Sequence, residues 1–190
     1  MNTNTERLVI GGGALVLGLL LGWLVRGVAT YNTSEEYSTA YDDWRVICPA
    51  ASNKDGSCQM VINVNDPKSK QVAAQMSITR DPKQGQVIAF MLPPNVNLEQ
   101  GLALKLGNTD PKLYKYRTCT ASGCISVSPV DDKTVDSVAA ADKVMLMSMS
   151  ALPGVTNRQD LEISRKGFNA ARSAYLSGNR KRGNFFWRLF

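Results

Sequence analysis

The sequence predicts a mainly β fold with two short helices, preceded by one N-terminal transmembrane helix. Three observations predict it. Apolar and polar residues alternate at period two in successive runs between Cys58 and Arg165. Turn signals such as Asp66-Pro67-Lys68 and Asp81-Pro82-Lys83-Gln84-Gly85 separate those runs, and the stretch Leu8 to Val25 contains no charge at all.

The uncharged stretch, LVIGGGALVLGLLLGWLV, rises about 27 Å as a helix, close to the roughly 30 Å hydrocarbon core of a bilayer. A cleaved secretory leader is the competing reading, because Gly27 and Ala29 are small residues placed like a cleavage site. The run exceeds the roughly 7–15 apolar residues of such a leader, and Arg26 stands where a cleavage region is usually uncharged. A retained anchor over residues 8–26 is therefore expected. Charge leaves its orientation nearly balanced, with Arg7 offset by Glu6 on one side and Arg26 on the other. Cysteine usage decides. Cys48, Cys58, Cys119 and Cys124 form two local pairs, and paired cysteines in a small domain persist mainly in oxidising compartments. Residues 1–7 are thus expected in the cytoplasm and the domain in the periplasm, on a single-pass protein of a bacterial inner membrane. Within the anchor Ala14, Gly18 and Gly22 recur every four residues on one helix face, the small-residue pattern that lets a second helix approach closely. Glycine is also simply common in such helices.

A chain of 190 residues has room for the anchor and one domain with a real core. Its net charge of +6 is concentrated at one end. From Ile163 onward there are seven basic residues and no acid, which leaves fifteen bases against sixteen acids elsewhere. Histidine is absent, which removes the Ser-His-Asp triad, the imidazole base and histidine-ligated metal. The cysteine spacings lack the short knuckle of a zinc site and the C-x-x-C of thiol exchange, so structural disulfides are expected and no metal or cofactor is. Four cysteines allow three connectivities; the local pairs Cys48 with Cys58 and Cys119 with Cys124 are the expected ones.

After the anchor, residues 27–41 form a polar linker rich in Ser, Thr and Glu, with Tyr31, Tyr37 and Tyr41 along it. Trp44, Val46 and Cys48 then alternate with Arg45 and Ile47, giving a strand with Trp44 facing inward. Cys58, Met60, Ile62 and Val64 share a face of the next strand, and Val72, Ala74, Met76 and Ile78 repeat the pattern. Val87 to Leu92 and Leu102 to Leu106 supply two further strands. Leu113 to Cys119 is read as one strand, and the turn Thr120-Ala121-Ser122-Gly123 sets Cys119 opposite Cys124 in a hairpin. Asp131 is placed to cap a short helix ending near Ala141, with Val130 and Val135 as a hydrophobic staple. In the strand Lys143 to Ser150, Met145, Met147 and Met149 fall on one face; core filling is the expected role, ahead of an adaptable or metal-binding surface. Arg158 to Arg165 is the last strand. Gly167 opens a second helix presenting Phe168, Ala171 and Tyr175, which Ser177-Gly178-Asn179 is expected to stop. The domain so bounded covers residues 42–178. Residues 179–190 form a tail in which Arg180, Lys181, Arg182 and Arg188 are interleaved with Phe185, Phe186 and Trp187. That composition suits an anionic lipid surface or a partner's groove. Nucleic acid is not an expected partner, since an exported, anchored domain seldom meets it.

The order Trp44, Cys48, Cys58, Leu92-Pro93, Leu98, Gly101, Cys119, Gly123-Cys124, then Gly167-Phe168 and Ala171, resembles the invasion-associated locus B family of bacterial exported proteins. The resemblance spans about Trp44 to Leu176. It implies an immunoglobulin-like β-sandwich with disulfides in the periplasm, and it supplies no catalytic residues. The expected retained anchor and the basic aromatic tail depart from the family pattern. With attachment features at both ends and no chemistry between them, the leading expectation is a non-enzymatic accessory subunit of a larger inner-membrane complex, respiratory or photosynthetic in type. The anchor and tail would hold it there. An envelope protein contributing to host-cell contact is the alternative. A redox or hydrolytic enzyme ranks last, because Asp42 and Asp43 at a strand start and Asp131 and Asp132 at a helix cap are ordinary solvated or capping residues.

Overall fold

The computed structural model describes residues 36–50, 53, 56–150 and 158–183, together with Gly18; from Arg180 onward it describes only the helical backbone. Two antiparallel sheets face each other. The larger has seven strands in the order β1 (Tyr37–Tyr41), β2 (Trp44–Cys48), β3 (Gln59–Asn65), β4 (Val72–Asp81), β5 (Gly85–Leu92), β9 (Gly123–Pro129) and β8 (Thr118–Thr120). The smaller has four, ordered β11 (Arg158–Ile163), β10 (Val144–Met149), β6 (Leu102–Leu106) and β7 (Lys112–Tyr114). Helix α1 (Asp132–Ala140) joins β9 to β10, and α2 (Phe168–Gly183) follows β11.

Alternation is what builds the core. Met60, Ile62 and Val64 of β3 and Cys58 just before it are all buried, and so are Trp44, Val46 and Cys48 of β2 and Ile88, Phe90 and Leu92 of β5. They meet Leu102, Leu104, Tyr114, Val144, Leu146, Leu161 and Ile163 from the small sheet. Each such aliphatic or aromatic side chain contributes about 1.5–3 kcal/mol by leaving water. Four strands do not cover seven, and α2 makes up the difference. Its Phe168 packs edge-on against Trp44 with ring centroids 5.0 Å apart, and its Gly178 reaches the Cys48–Cys58 sulfurs. The helix therefore runs beside β2 in the same direction. Ten helical steps rise about 15 Å and four strand steps about 13 Å, so the two elements match in length.

Several expectations are corrected. Tyr37–Tyr41, placed in the linker, is the edge strand β1, paired with β2 from Tyr37↔Cys48 to Tyr41↔Trp44. The single strand from Leu113 to Cys119 is two: β7 belongs to the small sheet and β8 to the large one, with the chain crossing between them. Val72 is exposed, not inward, because the β3–β4 register shifts between Val64 and Asn65; Asn65 pairs with Val72 and Val64 with Ala74, leaving Ala73 as the extra, buried residue. In β10 the core face is Val144, Leu146 and Ser148, so the methionine row lies on the opposite face. Met147 is nevertheless buried, with the Arg158 guanidinium 2.7 Å from its sulfur. Helix α2 is not stopped at Ser177-Gly178-Asn179 but continues to Gly183. Finally, the large sheet opens with five strands in consecutive hairpins, whereas an immunoglobulin domain splits its early strands between sheets. The architecture is a β-sandwich with its own strand order.

Among the described residues no helix is long and apolar enough to cross a membrane. Of the expected anchor only Gly18 is described, as helical and exposed; Ala14 and Gly22 lie outside the described residues.

Candidate functional site

The local cysteine pairs are both bonded, Cys48 to Cys58 and Cys119 to Cys124. The first closes the sandwich at the end where β2 stops and β3 starts, and it is the point to which α2 is fastened. The Asn179 side-chain oxygen accepts from the Cys58 backbone N–H at 2.7 Å, and its amide nitrogen lies 3.5 Å from the Cys58 carbonyl oxygen. A Cβ on Gly178 would fall 2.7 Å from the Cys58 sulfur and 3.2 Å from that of Cys48. Glycine here serves close approach between helix and disulfide. Residues that read in sequence as a helix stop are a docking contact. The helix start is equally constrained. Gly167 has φ +78°, and a Cβ there would overlap the Tyr41 carbonyl oxygen. Arg172 of α2 pairs with Asp136 of α1, joining the two helices.

The second disulfide bridges directly opposed residues, Cys119 on the edge strand and Cys124 on β9. Cys124 is fully buried and Cys119 is exposed.

Two open depressions accompany this framework. One, of about 430 Å³, is lined by Asp42, Asp43, Arg45, Asn63, Glu162 and Ser164 among others. There the Ser164 hydroxyl donates to Asp43 at 2.5 Å, Ser164 O accepts from the Trp44 indole N–H at 2.9 Å, and Asp42 occupies the left-handed region at φ 50°. The other, of about 450 Å³, lies between α1 and strands β6 and β7 and is lined by Leu104, Leu106, Lys112, Tyr114, Thr134 and Ala140 among others. The Lys112 ammonium sits 5.6 Å from the centroid of the Tyr114 ring, within cation–π range. Among the described residues no cluster of three or more Cys, Asp or Glu is placed to hold a metal ion.

The perturbed ionisable groups explain themselves structurally. Backbone N–H groups of Ser69 and Lys68 hold Asp66 below its ordinary value, and those of Gln84 and Lys83 do the same for Asp81. The Thr134 hydroxyl and N–H lower Asp131, which caps α1 as expected. Burial raises Tyr114 and Tyr175 and pushes Tyr116 up to about 12. The hydroxyls of Tyr114 and Tyr116 are buried with no hydrogen-bond partner among the described residues. These are turn, cap and core effects, and none gathers into an acid–base pair.

Of the expected tail, Arg180, Lys181 and Arg182 continue the α2 backbone with their side chains outside the described residues, and Phe185, Phe186, Trp187 and Arg188 lie wholly outside them. The sequence missed the Asn179–Cys58 bonds and the Ser164–Asp43 pair. Both link residues more than a hundred positions apart, and no local pattern signals such a contact.

Together these features define a β-sandwich stapled by two disulfides, with a terminal helix latched to one of them. Residues 44–175 match the family model described as Invasion associated locus B (IalB) protein, and the chain belongs to that family. A solved structure, the crystal structure of invasion associated protein B from Bartonella henselae, is similar in fold with a TM-score of 0.61 at 18% sequence identity. The match covers 74% of this chain and 96% of that one. A comparison with curated proteins returned no match. The residues that carried the resemblance are mostly structural. Trp44, Cys48, Cys58, Leu92, Cys124, Phe168 and Ala171 are buried, and Gly101, Gly123 and Gly167 occupy positive φ; Pro93, Leu98 and the disulfide-bonded Cys119 are exposed.

Proposed function

We propose that the chain is an exported envelope protein whose β-sandwich contributes to contact with a host cell. Family membership over residues 44–175 is the observation that carries this reading, since the family is named for association with invasion. The two disulfides support it, because such bonds persist in oxidising compartments. In this reading the domain acts by binding and not by catalysis: Asp131 is used as a helix cap and Asp43 as the acceptor for Ser164. The leading expectation from sequence, an accessory subunit of an inner-membrane complex, rests on Ala14, Gly18, Gly22 and the tail. No observation on the described residues or the family favours it, and it is not carried forward.

The test is accessibility. Intact cells treated with a membrane-impermeant amine label should show modification of exposed lysines such as Lys68 and Lys83, and deletion of the gene should reduce entry into cultured host cells. Labelling confined to permeabilised cells, or unaltered entry by the deletion strain, would overturn the reading.

A further inference from the structure

The sandwich has four strand edges, and three of them are blunted. Strand β8 is three residues long and pinned by Cys119–Cys124. Strand β7 is also three residues, preceded by Pro111 and opened by Lys112. Strand β11 carries Arg158, Asp160 and Glu162 along its outward face. Short length, proline and charge are the usual devices against unwanted edge pairing.

Strand β1 has none of them. Its five residues, Tyr-Ser-Thr-Ala-Tyr, contain no charge and no proline, its β1–β2 register runs without a bulge, and Tyr37 to Ala40 are all exposed. Among the described residues no strand pairs with its outer edge. Its row of outward N–H and C=O groups is a template for one more strand.

The sequence of that edge specifies which strand fits. Read in either direction, β1 is nearly the same: Tyr37 mirrors Tyr41, Ser38 mirrors Ala40, and Thr39 is the centre. We infer that β1 is a self-association edge, pairing antiparallel with β1 of a second copy about a two-fold axis through Thr39. In that register each Tyr37 stands opposite the second copy's Tyr41, and Thr39 stands opposite itself. Aromatic pairs and Thr–Thr pairs are both favourable cross-strand combinations. Tyr37, Thr39 and Tyr41 share a face with Cys48, Val46 and Trp44, the face that α2 covers on β2. Tyr37 is 54% exposed there, and the added strand would cover it. The arrangement is isologous and closes at two copies, joining two seven-stranded sheets into one. Glu36 and the Asp42 turn flank the strand, so acids of the two copies approach each other at both ends. Added salt should therefore strengthen the dimer, the reverse of an interface held by ion pairs.

The register gives the test its form. Full-length chain in mild detergent is measured by sedimentation as wild type, as Thr39→Lys and as Thr39→Glu. Each variant sets like charges opposite each other at the axis and should weaken dimerisation on the order of tenfold. Mixing the two variants should restore it, because only a two-fold register at residue 39 places Lys against Glu. Thr39 is exposed, and thermal unfolding of each variant checks that the fold is retained. A monomeric wild type, a dimer indifferent to both variants, or a mixture no tighter than either variant alone would each overturn the inference. A dimer made only through the N-terminal segment gives the second of these results, and an edge used only by a different protein gives the first.

Discussion

Replacing Gly178 with alanine sets two effects of opposite sign against each other. In a helix interior alanine is favoured over glycine by about 1 kcal/mol, so a helix clear of the body at this position would gain stability. In this fold the new methyl would lie 2.7 Å from the Cys58 sulfur and 3.2 Å from the Cys48 sulfur. Those atoms are held at both ends by the disulfide and cannot swing aside as a flexible side-chain tip would. Overpacking of this kind costs about 1–3 kcal/mol, and moving the helix to relieve it would also stretch the Asn179–Cys58 bonds, worth about 1 kcal/mol more. The expected net effect of Gly178→Ala is a loss of about 1–3 kcal/mol, or about 3–10 °C in Tm for a domain of this size. Thermal unfolding of the oxidised chain followed by circular dichroism reads it directly, with Asn179→Ala expected to lose about 1 kcal/mol by the same assay. A rise in Tm for Gly178→Ala would refute the latch, because only a helix end away from the disulfide profits from the added propensity.

Gly167→Ala should cost more, about 3 kcal/mol or above, since it combines a left-handed backbone with overlap on the Tyr41 carbonyl; chemical denaturation of the purified variant checks it. The buried tyrosines predict alkaline lability. Tyr116 ionises near 12 in the fold against an ordinary 10.0, and Tyr114 and Tyr175 are raised too, so the folded state holds protons that the unfolded chain releases. Stability should be whole below about pH 10 and fall as pH rises toward 12. Tyrosinate absorbance and circular dichroism followed together should show part of the phenol titration coinciding with unfolding, and smooth titration of every tyrosine around 10 in a folded chain would contradict it.

The inner faces of β2, β3 and β5 were legible because each buries one side against the core, and a single buried side leaves a period of two in the chain. The parts that escaped lack that condition. Strand β1 is exposed on both faces along most of its length, so its residues read as a polar linker. In β10 both faces are apolar, and the buried residue that closes the core face is Ser148, which drew the reading toward the methionines. Tyr114 and Tyr116 alternate smoothly, yet the chain changes sheets around them. Ser177-Gly178-Asn179 has the composition of a helix stop, and only the distant Cys48–Cys58 bond turns it into a contact. The capping role of Asp131 was visible because a cap is decided within one turn. Family membership was readable for a related reason, since tryptophan, cysteines and strained glycines leave marks at fixed intervals.

Strand β1 begins at Tyr37, opposite Cys48, and α2 reaches Asn179 against Cys58. The polypeptide thus enters and departs at one pole of the body, beside a single covalent staple. Whatever holds either flank will present the same aspect to the other side: the far pole, where the Asp42–Asp43 corner and the Asp66 loop stand, points away from the attachment. Nearness of entry and departure also makes the body a candidate for circular permutation, with a short bridge joining the flanks and a new opening cut in the loop after Asp66.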